Sequence, residues 1–277
     1  MVDRHQHKKT SNEEYIIMSH INLDGSTTVF ERDAYIKFDE AAHRYSVDGY
    51  GEMRPVSSVV AMFFKEFDAN YWSLRKCRGD ELAAAQLRDE WSMRGCVASQ
   101  VGTYLHKQIE DYLNGKRDIE TKCEVCYKGS YKQICDKIDI SREWTYFRAF
   151  DSVVGYNPFR TEWRVYDVDA RMAGTIDLVC TCPDGTYEIY DWKRSNKVNP
   201  DEANRWASGV NGLEHLTDTS YSHYCLQQNL YRYMLERNYG IRISRMNLVV
   251  LHPDYSSYRI VPVPRMEREV AIILSKI

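Results

Sequence analysis

The feature that most restricts this chain is a change of hydrophobic period partway along it. Across residues 57–154 apolar side chains recur at helical spacing, and from Thr161 they alternate as on strands. Helices followed by a strand meander bury their apolar faces best as a sheet with helices laid on it, which predicts an α/β fold. The alternating part reads as a strand over 161–166, a turn at Asp167-Val168-Asp169, a returning strand over 171–182, the turn Pro183-Asp184-Gly185 and a third strand over 187–193.

Elsewhere the pattern is coarser. Residues 34–38 and 43–47 alternate, with Asp48-Gly49 as a turn. Helices are expected over 57–67, 68–77 and 80–93, from Ala98 onward, and over 131–153 after a loop rich in Cys, Lys and Gly. The fourth carries Leu105, Ile109 and Tyr112 on one face. A partly helical loop over 199–219, a helix over 222–237, strands over 245–252 and 258–263 and a short helix opened by Pro264 complete the reading.

Composition excludes some classes. At 277 residues and 43% hydrophobic, the chain can bury a sizeable core. The net charge of −3 rules out a uniformly basic nucleic-acid glue, although Lys193-Arg194-Ser195-Asn196-Lys197 and Lys128-Gly129-Ser130-Tyr131-Lys132 are local basic clusters whose default role is a solvated surface. No run approaches the roughly 20 apolar residues of a membrane helix, and the polar start lacks a secretory h-region, so an intracellular, cytoplasmic protein without membrane contact is expected. Eight cysteines in such a chain are expected as free thiols. Cys123-x-x-Cys126 has zinc-like spacing but no second close pair, so zinc is not expected. Trp72, Trp91 and Trp206 are candidates for base stacking, with core packing as the plainer role.

Chemistry concentrates on two neighbouring strands. Asp191 and Lys193 are two apart and leave one face of a strand, and a hairpin-like pairing brings Asp177 beside them. Two carboxylates held together repel, and a hard divalent cation relieves that repulsion. A lysine beside them can stabilise charge developing on a phosphate. The plain alternative is a salt bridge on a hairpin. His106 and Glu110, four apart, share a helix face, as do Gln227 and Tyr231.

The succession Gly-Thr-x-x-His-x-x-x-Glu, Glu, Gly-x-x-Asp, Asp-x-Lys and Gln-x-x-x-Tyr, running from Gly102 to Tyr231, resembles the RecB-like branch of the PD-(D/E)xK nucleases. That branch includes the nuclease domain of RecB, the mitochondrial genome-maintenance exonuclease, phage exonucleases and the CRISPR-associated adaptation nuclease. The resemblance implies a restriction-endonuclease-like core, a central mixed sheet flanked by helices, with a helical N-terminal elaboration. Residues 1–15 would be a flexible tail and 16–277 one nuclease domain, mostly helical over 57–154, with the catalytic sheet, the Gln-x-x-x-Tyr helix and closing strands over 155–277.

It also implies roles. Asp177, Asp191 and Lys193 would be catalytic; His106, Asp177, Asp191 and the Trp192 carbonyl would hold Mg2+ or Mn2+, imidazole suiting the softer ion. Glu110 and Glu162 would support the site, and Gln227, Tyr231, Arg194 and Lys197 would contact nucleic acid. The implied activity is a DNA exonuclease in repair or recombination, acting on single strands or free ends beside a recombination or helicase partner. A structure- or site-specific endonuclease of the same fold and a catalytically idle nucleic-acid-binding module are the alternatives. Several relatives hold an iron–sulfur cluster through late cysteines, but none follows Cys225 here, and no phosphate loop for ATP is present, so neither cofactor is expected.

Overall fold

A computed structural model describes residues 22–128, 133–202 and 207–277, so the expected tail, Trp206 and most of the second basic cluster lie outside the described residues. The chain forms an eight-stranded mixed sheet with helices on both faces and a separate two-stranded hairpin. Strands β1 (Ile36–Asp39), β2 (Arg44–Val47) and β3 (Gly51–Pro55) make an N-terminal meander, joined to the rest where β3 runs parallel to the start of β7 (Met172–Thr181). β7 pairs along its whole length with β6 (Asn157–Asp167). On its other edge it pairs with β8 (Tyr187–Lys193) only over residues 178–181. β9 (Ile243–Val250) adds in parallel to β8, and β10 (Arg259–Pro262) closes that side.

Among the described residues six α-helices accompany this sheet: α1 (Val56–Ala61), α2 (Ala69–Lys76), which packs on α3, α3 (Glu81–Leu113), α4 (Ser141–Val153), α5 (Ser220–Asn238) and α6 (Glu267–Leu274). Strand alternation sorts the core into two layers. Val179, Ile189 and Leu248 face Leu226, Leu230 and Met234 of α5. Leu178, Tyr190, Trp192 and Val249 face Val101, Leu105 and Ile109 of α3 and Phe147 and Phe150 of α4.

Several expectations are corrected. The two helices anticipated over 80–93 and from Ala98 are one helix of 33 residues. Only Gly95 interrupts the helix formers between them, and one glycine costs about 1 kcal/mol, too little to end a helix already packed at both halves. Within the mostly helical stretch 57–154, residues 122–139 form a hairpin of β4 (Lys122–Lys128) and β5 (Gln133–Asp139), and the helix expected from 131 begins at Ser141. Cys123 and Val125 are buried while Glu124 is exposed, a period of two that the short segment concealed. The cysteines are not all free thiols: Cys126 and Cys135 stand opposite one another in the hairpin and are joined by a disulfide. Cys123, three residues from Cys126, is buried on the inner face, so the zinc-like spacing does not build one site. The loop over 199–219 contains bridges at Gly209 and Ser208 and no helix among the described residues.

Candidate functional site

The site lies where β7 and β8 part. Their last pairing is Leu178 with Tyr190, which leaves Asp177 and Asp191 next in line at the mouth of the fork. The Trp192 peptide N–H donates to Asp177 Oδ2 at 2.8 Å, so the two carboxyl groups are held side by side by main chain rather than by flexible side chains. Asp191 and Lys193 leave the same face of β8, and the Lys193 ammonium is ion-paired with Asp191 Oδ2. It also lies 4.4 Å from the centre of the Tyr224 ring. From α5, Gln228 Nε2 donates to Asp191 Oδ1 at 2.8 Å. Asp191 Oδ2 is buried, and the Lys193 ammonium is its close partner.

The opposite layer contributes through the same gap. His106 on α3 brings Nδ1 to 3.4 Å from Asp177 Oδ2. Glu162 lies across from Asp177 in the β6–β7 register, between the pairs Thr161–Leu178 and Trp163–Ile176. Its backbone is left-handed, with φ of 46°, a conformation that costs a non-glycine residue about 1–3 kcal/mol and clusters at functional sites. One ligand atom each from His106, Glu162 and Asp177 lies within 4.8 Å of the others.

Burial and charge crowding together shift Asp191, Glu162, His106 and Asp177. Burial pushes Asp191 up, against the pull of Lys193, to about 6. Burial, reinforced by Asp177, pushes Glu162 up to about 8. Burial alone would lower His106, but the Asp177 charge and hydrogen bond outweigh it and raise it to about 9. Burial opposes Asp177 too, yet His106, Lys193 and the Trp192 N–H hold its carboxyl below the usual range. A cluster that must keep protons to stay neutral is one that a divalent cation would relieve.

A cavity of about 240 Å³ opens onto these groups, lined by His106, Asp177, Asp191, Lys193, Gln227 and Tyr231 along with Tyr45 and Val56. Tyr231 donates no bond across the cavity; its hydroxyl accepts from Gln227 Nε2 at 3.1 Å. Its ring passes so close to Gly174 that a Cβ there would fall 2.6 Å from Tyr231 Cε1.

Thus Asp177, Asp191, Lys193, His106, Glu162, Gln227 and Tyr231, drawn from five elements, are brought together. Glu110 stands behind Glu162, close enough to raise its carboxyl, and is ion-paired with Lys107 at 3.0 Å. Trp192 brings its peptide to the site and its ring to the opposite core. Arg194 is not at the cavity: its Nε donates at 2.8 Å to the buried Glu143, which commits it to the fold. Lys197 is exposed outside the cavity lining. Trp72 and Trp91 are half-buried around α2 and α3, against Tyr71 and Phe67 respectively. Sequence reasoning missed Gln228 and Tyr224, although Tyr224, Gln228 and Tyr231 share the i, i+4, i+7 face of α5. It also missed Tyr45, whose hydroxyl meets Thr175 at 2.9 Å and which no local pattern links to β7.

No family model matches the chain, and no curated protein matches it. Among solved structures, one described as the crystal structure of SSO0001 is similar over 80% of this chain and 72% of that chain, at 14% identity and a TM-score of 0.30. A likeness of that degree carries no argument about function.

Proposed function

We propose that the chain is a metal-dependent nuclease of the PD-(D/E)xK type that hydrolyses DNA phosphodiesters, with free single-stranded ends as the preferred substrate. The observation that carries this reading is the convergence of Asp177, Asp191 and Lys193 at a strand fork, with His106 and Glu162 beside them. A structural salt bridge needs one carboxylate for one lysine; three carboxylates and an imidazole gathered about a single lysine suit a cation.

The donor set fits Mg2+ or Mn2+: carboxylates of Asp177, Asp191 and Glu162 with His106, and no thiolate. When bound, the cation supplies several kcal/mol of charge neutralisation at the scissile phosphate. Asp177 and Asp191 would hold it, with the Trp192 carbonyl and His106 as further ligands. Lys193, kept ammonium by its two acidic neighbours, would stabilise negative charge on the phosphoryl oxygens. Gln228 would orient Asp191, and Gln227 with Tyr231 would wall the strand path. Phe67 and Tyr71, 62% and 51% exposed beside Trp91 and Trp72, would offer stacking surface beyond the cavity.

The test is a timed digestion of end-labelled single- and double-stranded DNA with Mg2+ or Mn2+, beside Lys193→Ala. Loss of cleavage in the variant with its melting temperature retained supports the proposal; equal turnover by both defeats it. A circular single strand cut as fast as a linear one removes the exonuclease reading and leaves an endonuclease.

A further inference from the structure

The N-terminal meander builds part of the rim of the candidate cavity. His43, in the turn between β1 and β2, and Tyr45, on β2, both line the cavity that holds His106, Asp177, Asp191 and Lys193. The Tyr45 hydroxyl meets the Thr175 hydroxyl at 2.9 Å. Thr175 stands two residues before Asp177 on β7 and so shares its face of the sheet. Arg164 is the partner of Thr175 in the β6–β7 register, next to the place where Glu162 stands across from Asp177. The Arg164–Thr175 row therefore lies about 7 Å along the strands from the acid row.

One ring ties these groups together. Phe38 on β1 stacks on Tyr45, with ring centroids 4.4 Å apart. The Arg164 guanidinium lies 5.7 Å from the Phe38 ring centre, and the His43 ring meets Phe38 edge-on at 5.2 Å. Both His43 and Arg164 are exposed, and neither has a carboxylate partner among the described residues, whereas Arg160 on the same strand is ion-paired with Asp33. The His43 backbone is left-handed, with φ of 49°, a conformation glycine adopts without cost, so the turn itself does not call for an imidazole. Burial raises the Tyr45 phenol most; Thr175 and Arg164 pull it down while Glu162 and Asp177 push it up, so this hydroxyl is near both the cation and the acids.

On the nuclease reading proposed above, we infer that Arg164 and His43 form a second phosphate subsite, which grips the strand one nucleotide away from the phosphate held at Asp177 and Asp191. The guanidinium offers paired N–H donors to phosphate oxygens, and the imidazole offers an N–H of its own. Phe38 and Tyr45 are positioning residues: their stacked rings carry both donors at the cavity mouth, and Thr175 anchors Tyr45 to β7. The spacing of the two rows, about 7 Å, is close to the step between phosphates of an extended single strand.

Fluorescence anisotropy of an end-labelled single-stranded oligonucleotide tests this, with Mn2+ present and Lys193→Ala in every protein so that the strand stays uncut. Adding Arg164→Ala is expected to weaken binding about tenfold. It should also make the slope of log affinity against log salt shallower by about 0.7, the share of one phosphate contact on a single strand. Arg164→Lys should keep the slope, and His43→Ala should weaken binding several-fold. Lys276→Ala, which removes an exposed charge beyond α6, should change neither. Arg164→Ala binding with the affinity and slope of its parent, or Lys276→Ala losing as much as Arg164→Ala, overturns the subsite. Melting curves report whether each variant folds; if Arg164→Ala does not, His43→Ala decides alone. Cleavage of the same strand by wild type is read alongside. Cutting with no effect of Arg164 removes the subsite and keeps the nuclease; Arg164-dependent binding without cutting does the reverse; a wild type that neither cuts nor binds removes both.

Discussion

Asp191→Asn separates a cation site from a structural ion pair by the sign of its effect on stability. Asp191 is 4% exposed, and its carboxyl is raised from 3.8 to about 6, chiefly by burial. A group whose pKa is raised on folding contributes stability that is full below the unfolded value and is lost as pH rises through the folded one. At about 1.36 kcal/mol per unit, keeping Asp191 ionised at pH 8 costs on the order of 3 kcal/mol, the attraction of Lys193 already included. Asparagine carries no such charge and can still accept from Gln228 through its Oδ1. For a chain of 277 residues, with about 2 °C per kcal/mol, the metal-free variant should melt roughly 5 °C above wild type at pH 8. The gap should narrow to about half near pH 5 and close only below about pH 4, where Asp191 is protonated in the unfolded chain as well. The assay is a melting curve in chelator at both pH values, repeated with Mn2+, which should raise wild type alone. If the pair were structural, removing one partner would destabilise by about 3–5 kcal/mol. A lower melting temperature for Asp191→Asn at pH 8 would therefore refute the reasoning.

Three further outcomes are expected. Mn2+ at a hundredfold excess over its dissociation constant should stabilise wild type by about 2.7 kcal/mol, and His106→Ala should weaken Mn2+ binding more than Mg2+ binding; equal losses for both ions would remove the imidazole from the ligand set. Because His106 is raised to about 9 and Glu162 to about 8, the stability they contribute without metal declines as pH climbs towards those values. Cation binding should accordingly tighten from pH 6 to 9 with release of protons, and calorimetry in buffers of different ionisation heats that detects no release would count against it. Gly174→Ala should cost about 1–3 kcal/mol and displace the Tyr231 ring, which the new Cβ would meet at 2.6 Å; an unaltered melting curve and unaltered cleavage would show that the contact is not fixed.

Much of the central sheet is legible in sequence because its signals are local. The third strand over 187–193 forms as expected, bounded by a Pro-Asp-Gly turn, and its period of two puts Asp191 and Lys193 on one face. The helix expected over 222–237 forms as α5 from Ser220, where the Thr219 side chain accepts from Ser222 N at the N-cap. Hidden from sequence were features decided by distant partners. The hairpin over 122–139 is too short for its alternation to outweigh a helix reading until α3 buries Cys123 and Val125. Arg194 sits in a basic run, yet Glu143, 51 residues away, claims its guanidinium.

By itself, then, the amino-acid order determines which atoms can do chemistry and which short elements present them: Asp-x-Lys on a strand, His106 and Glu110 on one helix face, Gln227 and Tyr231 on another. Tertiary structure decided that β7 and β8 stop pairing at Leu178 and Tyr190, and that α3 and α5 reach the opened gap from opposite faces. The physical reason is the range of the interactions. Periodicity and turns act over a few residues, whereas a carboxylate's pKa and its neighbours depend on which buried surfaces meet across the whole chain.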